Sequence, residues 1–345
     1  MGVQILIGDV FARLAELADE SVHCVVTSPP YWGLRDYGVE GQIGLEPTLA
    51  EHLDVMVRVF REVRRALRKD GTVWLNYGDC YASSPNGRSA KDTKATGNDD
   101  RTFRDKPFST VQGTLKPKDL CMVPNRLAIA LQDDGWWVRS EIIWHKPNPM
   151  PESTKDRPGS SHEKVWLLSK SQRYFYDADA VRESTDWNSE NTKFPDGWDT
   201  GVGAHGSIHR KGREAGKKNS FKRANSKRAV AHPGQTCGTH RPDRDDVEYV
   251  GSRNLRNVWT VPTKAFSAAH FATFPPALVE PCIKAGCPEG GVVLDLFGGA
   301  GTTGLVADRL QRDAILIELN PEYAEIARKR IEGDAGLFNP LEAAQ

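Results

Sequence analysis

Residues 27–32 read TSPPYW and follow the apolar run Cys24–Val26, so a hydroxyl, two prolines and two aromatic rings gather where a strand should end. Proline has no backbone N–H and biases its predecessor away from helix. The Ser28 hydroxyl and the Pro29 carbonyl can therefore be held rigidly as two neighbouring hydrogen-bond acceptors. Two acceptors beside an aromatic face suit a planar base that carries an exocyclic amine.

That amine is a poor nucleophile because its lone pair is delocalised into the ring. Hydrogen bonds to Ser28 and the Pro29 carbonyl would draw its hydrogens out of plane and localise the lone pair, while Tyr31 stacks on the ring. Positioning and electrostatics would supply most of the rate. A base inside a duplex would have to flip out to reach such a pocket. The alternative is a strand-terminating turn with a packed aromatic ring.

A second candidate site lies near the C-terminus, where residues 295–304 read DLFGGAGTTG. The spacing of Gly299, Gly301 and Gly304 fits G-x-G-x-x-G between a strand and a helix, which alone is a weak nucleotide-binding signal. Such glycines let a ligand approach the backbone and the free N–H groups of the helix start. Glu318 ends the next predicted strand, where an acid can accept hydrogen bonds from two ribose hydroxyls.

Two features argue against a dinucleotide at this loop. The Asp295 carboxylate would repel a pyrophosphate but suits a cationic amino group, and a chain of 345 residues ends too soon after Gly304 for a second mononucleotide half. S-adenosylmethionine (SAM) fits better, since it offers a ribose to Glu318, an ammonium to Asp295 and no phosphate. The alternative is a strand–helix turn without a ligand.

Alternating strands and helices must position these groups. Hydrophobic periodicity predicts a parallel, doubly wound α/β sheet. The predicted strands are 3–7, 21–27, 71–76, 136–144, 162–169, 291–296 and 314–318, and the predicted helices are 11–17, 49–68, 120–132, 277–285, 302–310 and 321–332.

Two polar stretches interrupt this pattern. Residues 83–118 are rich in Gly, Lys and Asp and are predicted to form a mobile loop, and residues 174–256 form the most polar long tract. Within that tract, 210–228 is strongly basic, which suits contacts to DNA phosphates, although charge runs are often only solvated loops. The candidate DNA-binding residues are Arg210, Lys211, Arg213, Lys217, Lys218, Lys222 and Arg223.

Composition narrows the function classes. Formal net charge is zero, so the whole chain carries no field that marks nucleic acid as its partner. The six cysteines lack paired spacing, which is typical of a reducing interior, and neither a membrane span nor a signal peptide is recognisable. His232, Cys237 and His240 lack a convincing fourth ligand, so no metal site is predicted. A cytoplasmic protein that does not enter membranes is expected.

Together these motifs resemble the β class of SAM-dependent DNA amino-methyltransferases, a permuted class. There the [DNS]-P-P-[YFW] motif comes first, a target-recognition insert follows, and the cofactor loop comes last. Further matches are IGD at 7–9, WHKPNPMP at 144–151, HFATFPPAL at 270–278 and IELNPEYAEIA at 317–327. The resemblance implies a seven-stranded Rossmann-like sheet ordered 3-2-1-4-5-7-6 with strand 7 antiparallel. It also implies a methyltransferase domain over 1–173 and 257–345 with an insert at 174–256.

The resemblance also assigns roles by position. The catalytic residues would be Ser28, Pro29, Pro30 and Tyr31, with Tyr31 and Trp32 stacking on the target base. The cofactor residues would be Asp9, Thr27, Phe271, Thr273, Asp295, Phe297, Gly299, Gly301, Thr302, Thr303, Glu318 and Asn320.

The first letter of the SPPY motif bears on the product. In this class Ser goes mostly with N4-methylcytosine and Asp mostly with N6-methyladenine, and a hydroxyl can also donate to cytosine N3. The expected activity is therefore site-specific N4-methylation of cytosine in double-stranded DNA. The alternatives are N6-adenine methylation, a catalytically silent DNA-binding relative and an RNA methyltransferase. A cognate restriction endonuclease, a monomeric or homodimeric state and a bacterial, archaeal or phage origin are also expected.

Overall fold

The chain divides into two compact units in a computed structural model. One unit comprises Met1–Val181 with Arg256–Gln345, and the other comprises Arg182–Leu255. The structure describes residues 2–34, 36–84, 108–184, 252–263 and 274–338, without the side chains of 335–338.

The first unit is built on one large sheet that confirms the predicted α/β class. Its strands are β1 (Val3–Ile7), β2 (Val22–Thr27), β3 (Leu67–Tyr77), β4 (Trp137–His145), β5 (His162–Ser169), β8 (Val258–Thr260), β9 (Val292–Asp295) and β10 (Asp313–Glu318). They lie in the order β1-β10-β9-β2-β3-β5-β4-β8. Among these described strands, only β5 runs antiparallel to its neighbours, β3 and β4.

The sheet differs from the expected seven strands by one. The expected order 3-2-1-4-5-7-6 is found when the family's strands 1 to 7 are taken as β9, β10, β1, β2, β3, β4 and β5. β8 adds an eighth strand beside β4. Residues Ile143–His145 pair in parallel with Val258–Thr260, and the Trp144 indole N–H donates to the Val261 carbonyl at 2.8 Å. A three-residue strand gives little periodic signal, so the sequence alone did not predict it.

The helices fall into two groups, each of which packs together and against the sheet. They are α1 (Val10–Ala15), α2 (Leu49–Ala66), α3 (Val123–Asp133), α4 (Pro276–Gly286), α5 (Thr302–Arg309) and α6 (Pro321–Phe338). α2 begins with a capping box between Thr48 and Glu51 and buries Met56, Phe60 and Val63 in the core.

The mobility predicted for 83–118 stays a prediction, but the described residues 108–118 make ordered contacts with the first unit. Thr110 is fully buried and Leu115 is 9% exposed. The Thr110 N–H donates to the Ser83 carbonyl and the Lys118 N–H to the Ala82 carbonyl, so this stretch is closed back onto the end of β3. Residues 85–107 lie outside the described part of the chain.

The second unit is described only near its ends. There β6 (Glu183–Ser184) pairs antiparallel with β7 (Ser252–Arg253), and Arg253 forms an ion pair with Glu183 at 2.9 Å. This unit begins at Arg182 rather than at the predicted residue 174. The preceding residues belong to the first unit, since the Phe175 N–H donates to Asp70 and the Asp177 N–H to Ala285.

Candidate active site

One cavity of about 510 Å³ opens at the carboxyl ends of the parallel strands. Open α/β sheets bind ligands at this edge. Asp9 follows β1, Ser28 follows β2, Phe297 follows β9 and Glu318 ends β10, and all four line the cavity. The two motifs, which are far apart in the sequence, therefore face the same space.

The glycine-loop half of the cavity is organised around Glu318. One carboxylate oxygen accepts the Gly299 N–H at 2.7 Å and the other accepts the Asn320 N–H at 2.8 Å. Burial raises the pKa of Glu318, and these N–H groups oppose that shift. Glu318 is 9% exposed and lines the cavity, and its oxygens keep lone pairs for two further hydroxyl donors. This half therefore has the donor and acceptor groups that a ribose requires.

Asp295 does not line the cavity, so the expected direct contact with an ammonium group is not supported. Its carboxyl is 1% exposed and accepts hydrogen bonds from the Thr27 hydroxyl at 2.8 Å and the Thr303 hydroxyl at 2.6 Å. Burial raises its pKa to about 7. Thr27 and Thr303 were also expected to touch the cofactor, and both lie behind the cavity wall. The three residues instead fasten the end of β2 to the glycine loop.

Gly301 and Thr302 have separate roles at the start of α5. Gly301 has φ +75° and caps the helix, and a Cβ there would lie 2.8 Å from the Ala327 Cβ, so it serves close packing against α6 rather than lining the cavity. Thr302 does line the cavity, and its hydroxyl accepts a hydrogen bond from Arg330 at 2.9 Å. Arg330 is a neighbour of this site that the sequence did not indicate.

The SPPY segment forms the opposite wall of the cavity, where Ser28, Pro29, Pro30 and Tyr31 are all lining residues. The Tyr31 ring stacks on Tyr77 with centroids 4.7 Å apart, and a Cβ on Gly78 would lie 2.6 Å from that ring. The Tyr31 hydroxyl lies 3.5 Å from the Ser28 Oγ and donates to Glu163 at 2.8 Å. Burial raises the pKa of Tyr31 well above its usual value.

Trp32 was expected to stack on a target base, and this expectation is wrong. Its side chain is 1% exposed in the core, and its indole N–H donates to the Glu46 carbonyl at 3.0 Å. The Trp32 backbone N–H donates to the Tyr77 hydroxyl, which also contacts His52 at 2.8 Å. Trp32 thus fixes the SPPY segment to the hydrophobic core.

Among the lining residues that received no role from the sequence are Asn76, Trp144, Lys146 and Glu163, which contact one another. Glu163 on β5 pairs with Lys146, which lies just after β4, and the Lys146 ammonium sits 4.3 Å from the Trp144 ring centroid. Asn76, near the end of β3, donates to Glu163 at 3.3 Å. Trp144 and Lys146 fall in the WHKPNPMP match, which was the only available signal. Nothing in the sequence singled out Glu163.

Several predictions fall outside the described residues. Phe271 and Thr273 are among these, although the neighbouring Phe274 lines the cavity. The seven basic residues proposed for DNA binding and the His232, Cys237 and His240 set lie there too. In the described ranges no group of three or more His, Cys, Asp or Glu residues could hold a metal ion, and no helix is long and apolar enough to cross a membrane.

Comparison with known proteins identifies the family. The family described as DNA methylase matches residues 22–329. The chain belongs to the DNA methylase family. The Type II methyltransferase M.XycI of Xanthomonas campestris pv. cyanopsidis is 44% identical over 94% of this chain and 86% of its own length. M.Cfr9I of Citrobacter freundii, also a Type II methyltransferase, is 42% identical over 96% of this chain and 89% of its own length.

A solved structure supports the fold of this methylase. The PvuII DNA methyltransferase (cytosine-N4-specific) superposes with a TM-score of 0.59 at 19% identity, covering 98% of this chain and 92% of its own. The family match and the two Type II relatives, rather than this structural likeness, identify the methylase as a site-specific DNA amino-methyltransferase with SAM as its methyl donor. The Glu318 half of the cavity fits the ribose of that cofactor.

Proposed function

We propose that this methylase modifies the N4 amine of a cytosine that has flipped out of double-stranded DNA. The observation that carries the proposal is the shared cavity, in which Glu318 and Gly299 face the same space as Ser28–Tyr31. SAM supplies an activated methyl group when bound. Ser28 and the Pro29 carbonyl hold the two amine hydrogens, and Tyr31 packs against the base.

Ser28 supports cytosine as the target because its hydroxyl can accept from the amine and donate to the neighbouring ring nitrogen N3. The structural neighbour of the PvuII system, named as cytosine-N4-specific, shares the fold. We further propose that the basic residues from Arg210 to Arg223 contact DNA phosphates. A cognate restriction endonuclease and a cytoplasmic location are proposed because the similar M.XycI and M.Cfr9I are named as Type II methyltransferases.

The identity of the methylated nucleoside tests the proposal. A mixed-sequence plasmid is incubated with the methylase and methyl-labelled SAM, digested to nucleosides and analysed by mass spectrometry. Label in N4-methylcytosine is expected. Label in N6-methyladenine would agree with methyl transfer to an exocyclic amine but would show that the target base is adenine. Label at cytosine C5 would refute the mechanism.

Ser28→Ala tests the acceptor assigned to Ser28. Single-turnover methylation should fall about a hundredfold or more, the scale of losing one positioned catalytic hydrogen bond. SAM affinity by calorimetry should be retained, because Glu318 at the end of β10 and Gly299 in the loop after β9 belong to other parts of the sheet. Full activity of the variant would contradict the role.

A further inference from the structure

A row of hydrogen-bonding groups leads from the proposed amine site to a carboxylate. The Ser28 Oγ lies 3.5 Å from the Tyr31 Oη, and the Tyr31 hydroxyl donates to the Glu163 Oε2 at 2.8 Å. All three residues line the cavity. The row therefore begins beside the position proposed for the target amine and ends at a group that can bind a proton.

Glu163 is held firmly in this position. Its other oxygen, Oε1, pairs with the Lys146 ammonium, and Asn76 donates to Oε2 at 3.3 Å. The side chains of Glu163 and Lys146 are each 18% exposed. Cross-strand pairing also fixes the backbone, since Glu163 faces Trp144 on β4 and its neighbour Lys164 faces Tyr77 on β3. Three elements thus aim polar groups at one carboxylate.

Methyl transfer to an amine must release a proton. The Tyr31 hydroxyl stays protonated because burial raises its pKa well above the usual value, so it can pass a proton on but not keep one. A hydroxyl such as Ser28 is no stronger as a final acceptor. Glu163 is the carboxylate that the Tyr31 hydroxyl contacts.

We propose that Glu163 is the final proton acceptor of the reaction and that the Tyr31 hydroxyl relays the proton to it from Ser28. This inference rests on the function proposed above. It gives Tyr31 a second task besides packing against the base, and it gives the Lys146–Glu163 pair a part in the chemistry.

The step balances in atoms and charge. The amine nitrogen forms a bond to the methyl carbon, and the sulfur–carbon bond breaks with its electron pair kept by sulfur. The positively charged methylated amine then gives a proton to the Ser28 Oγ, the Ser28 proton moves to the Tyr31 Oη, and the Tyr31 proton moves to the Glu163 Oε2. A sulfonium, an amine and a carboxylate become a thioether, a methylamine and a carboxylic acid.

Four variants test the relay by single-turnover methylation of duplex DNA. Glu163→Gln keeps the acceptor for Tyr31 but cannot take a proton, and Tyr31→Phe keeps the ring but removes the hydroxyl. General-base losses are about a hundredfold or more, so both should fall by that amount, and the double variant should be no slower than either single variant. Glu141→Gln is the matched control. Glu141 on β4 pairs with Lys164 on β5 but does not line the cavity. The methylation rate of this variant should therefore equal that of wild type.

Chemical rescue separates proton transfer from support of the Tyr31 ring. In Glu163→Ala, added formate can occupy the vacated volume and accept the proton, so the rate should rise at least about tenfold, whereas formate should not help Glu163→Gln. Circular dichroism and SAM affinity should show that each variant is folded.

A wild-type rate in Glu163→Gln or in Tyr31→Phe would overturn the relay, as would the absence of rescue in folded Glu163→Ala. None of these results touches the proposed function, which stands or falls on the nucleoside that wild-type enzyme labels.

Discussion

Because of Asp295, the free energy of unfolding of the methylase should fall as the pH rises. The change that tests this is Asp295→Asn, which keeps the size of the side chain and removes its charge. The amide oxygen can still accept from Thr27. The amide nitrogen can donate to Thr303, whose hydroxyl can turn to the Val26 carbonyl 3.4 Å away. The variant should therefore fold.

The magnitude follows from the pKa of Asp295, which burial raises from 3.8 to about 7. Between these values the folded state binds a proton that the unfolded state has lost, so stability falls as pH rises through this window. About three pKa units at roughly 1.36 kcal/mol each give a loss of about 4 kcal/mol. Above pH 7 the charged carboxylate destabilises the fold by that amount, and the Asn variant is free of this penalty.

Urea unfolding followed by tryptophan fluorescence at pH 5, 6, 7 and 8 measures this effect. The stability of wild type minus that of Asp295→Asn should decrease by about 1.4 kcal/mol per pH unit inside the window and then level off. Taking the difference cancels the titration of groups common to both proteins. A difference that is flat or rising over this range would refute the assignment of a raised pKa. SAM affinity of the variant should be nearly unchanged, because Asp295 lies behind the cavity wall.

The remaining predictions concern the cavity, its packing and the insert. Glu318→Gln should weaken SAM binding about tenfold to a hundredfold by calorimetry, the usual value of hydrogen bonds to a charged group, and an unchanged affinity would remove the ribose role. Gly301→Ala should destabilise the fold by about 1–3 kcal/mol in urea, because φ is +75° and Ala327 is too close. Gly299→Ala is its control, with a comparable φ of +49° and a Cβ that would lie 3.9 Å from the Phe297 carbonyl oxygen, so equal destabilisation would show that packing on α6 contributes nothing. Neutralising Lys217, Lys218, Lys222 and Arg223 should weaken DNA binding and reduce its salt slope by about 0.9 for each phosphate that is no longer neutralised, and an unaltered slope would place the DNA channel elsewhere.

Much of the fold could be predicted because its strands are short apolar runs closed by turn residues. The predicted strand at 162–169 agrees with β5 to the residue, and the helix at 49–68 ends two residues early at Ala66. The order of the strands came from the family resemblance and not from periodicity. β8 was missed because three residues carry no period.

The site was predictable only where a motif carries its own chemistry. SPPY and Glu318 line the cavity as expected, but Asp295 and Trp32 do not. The hydrogen-bond partners of Asp295 and Trp32 hold these side chains away from the cavity. Thr27 lies 268 residues from Asp295 in sequence, and no local pattern reveals that its hydroxyl engages the carboxylate. Glu163 was missed for a similar reason, since its contacts with Tyr31 and Lys146 arise from strand register.

The β6–β7 ladder affects how freely the length of the segment between these two strands can vary. The paired strands hold Glu183 against Arg253 and Ser184 against Ser252, so the two residues that flank the intervening segment, Ser184 and Ser252, lie side by side. Once the ends of a segment are closed, doubling its length costs only about 0.6 kcal/mol in loop entropy. The segment proposed to contact DNA can thus lengthen, shorten or be exchanged whole at an entropic cost that is small beside the stability of a domain. Under that proposal, contacts to DNA can change while the catalytic unit stays unaltered.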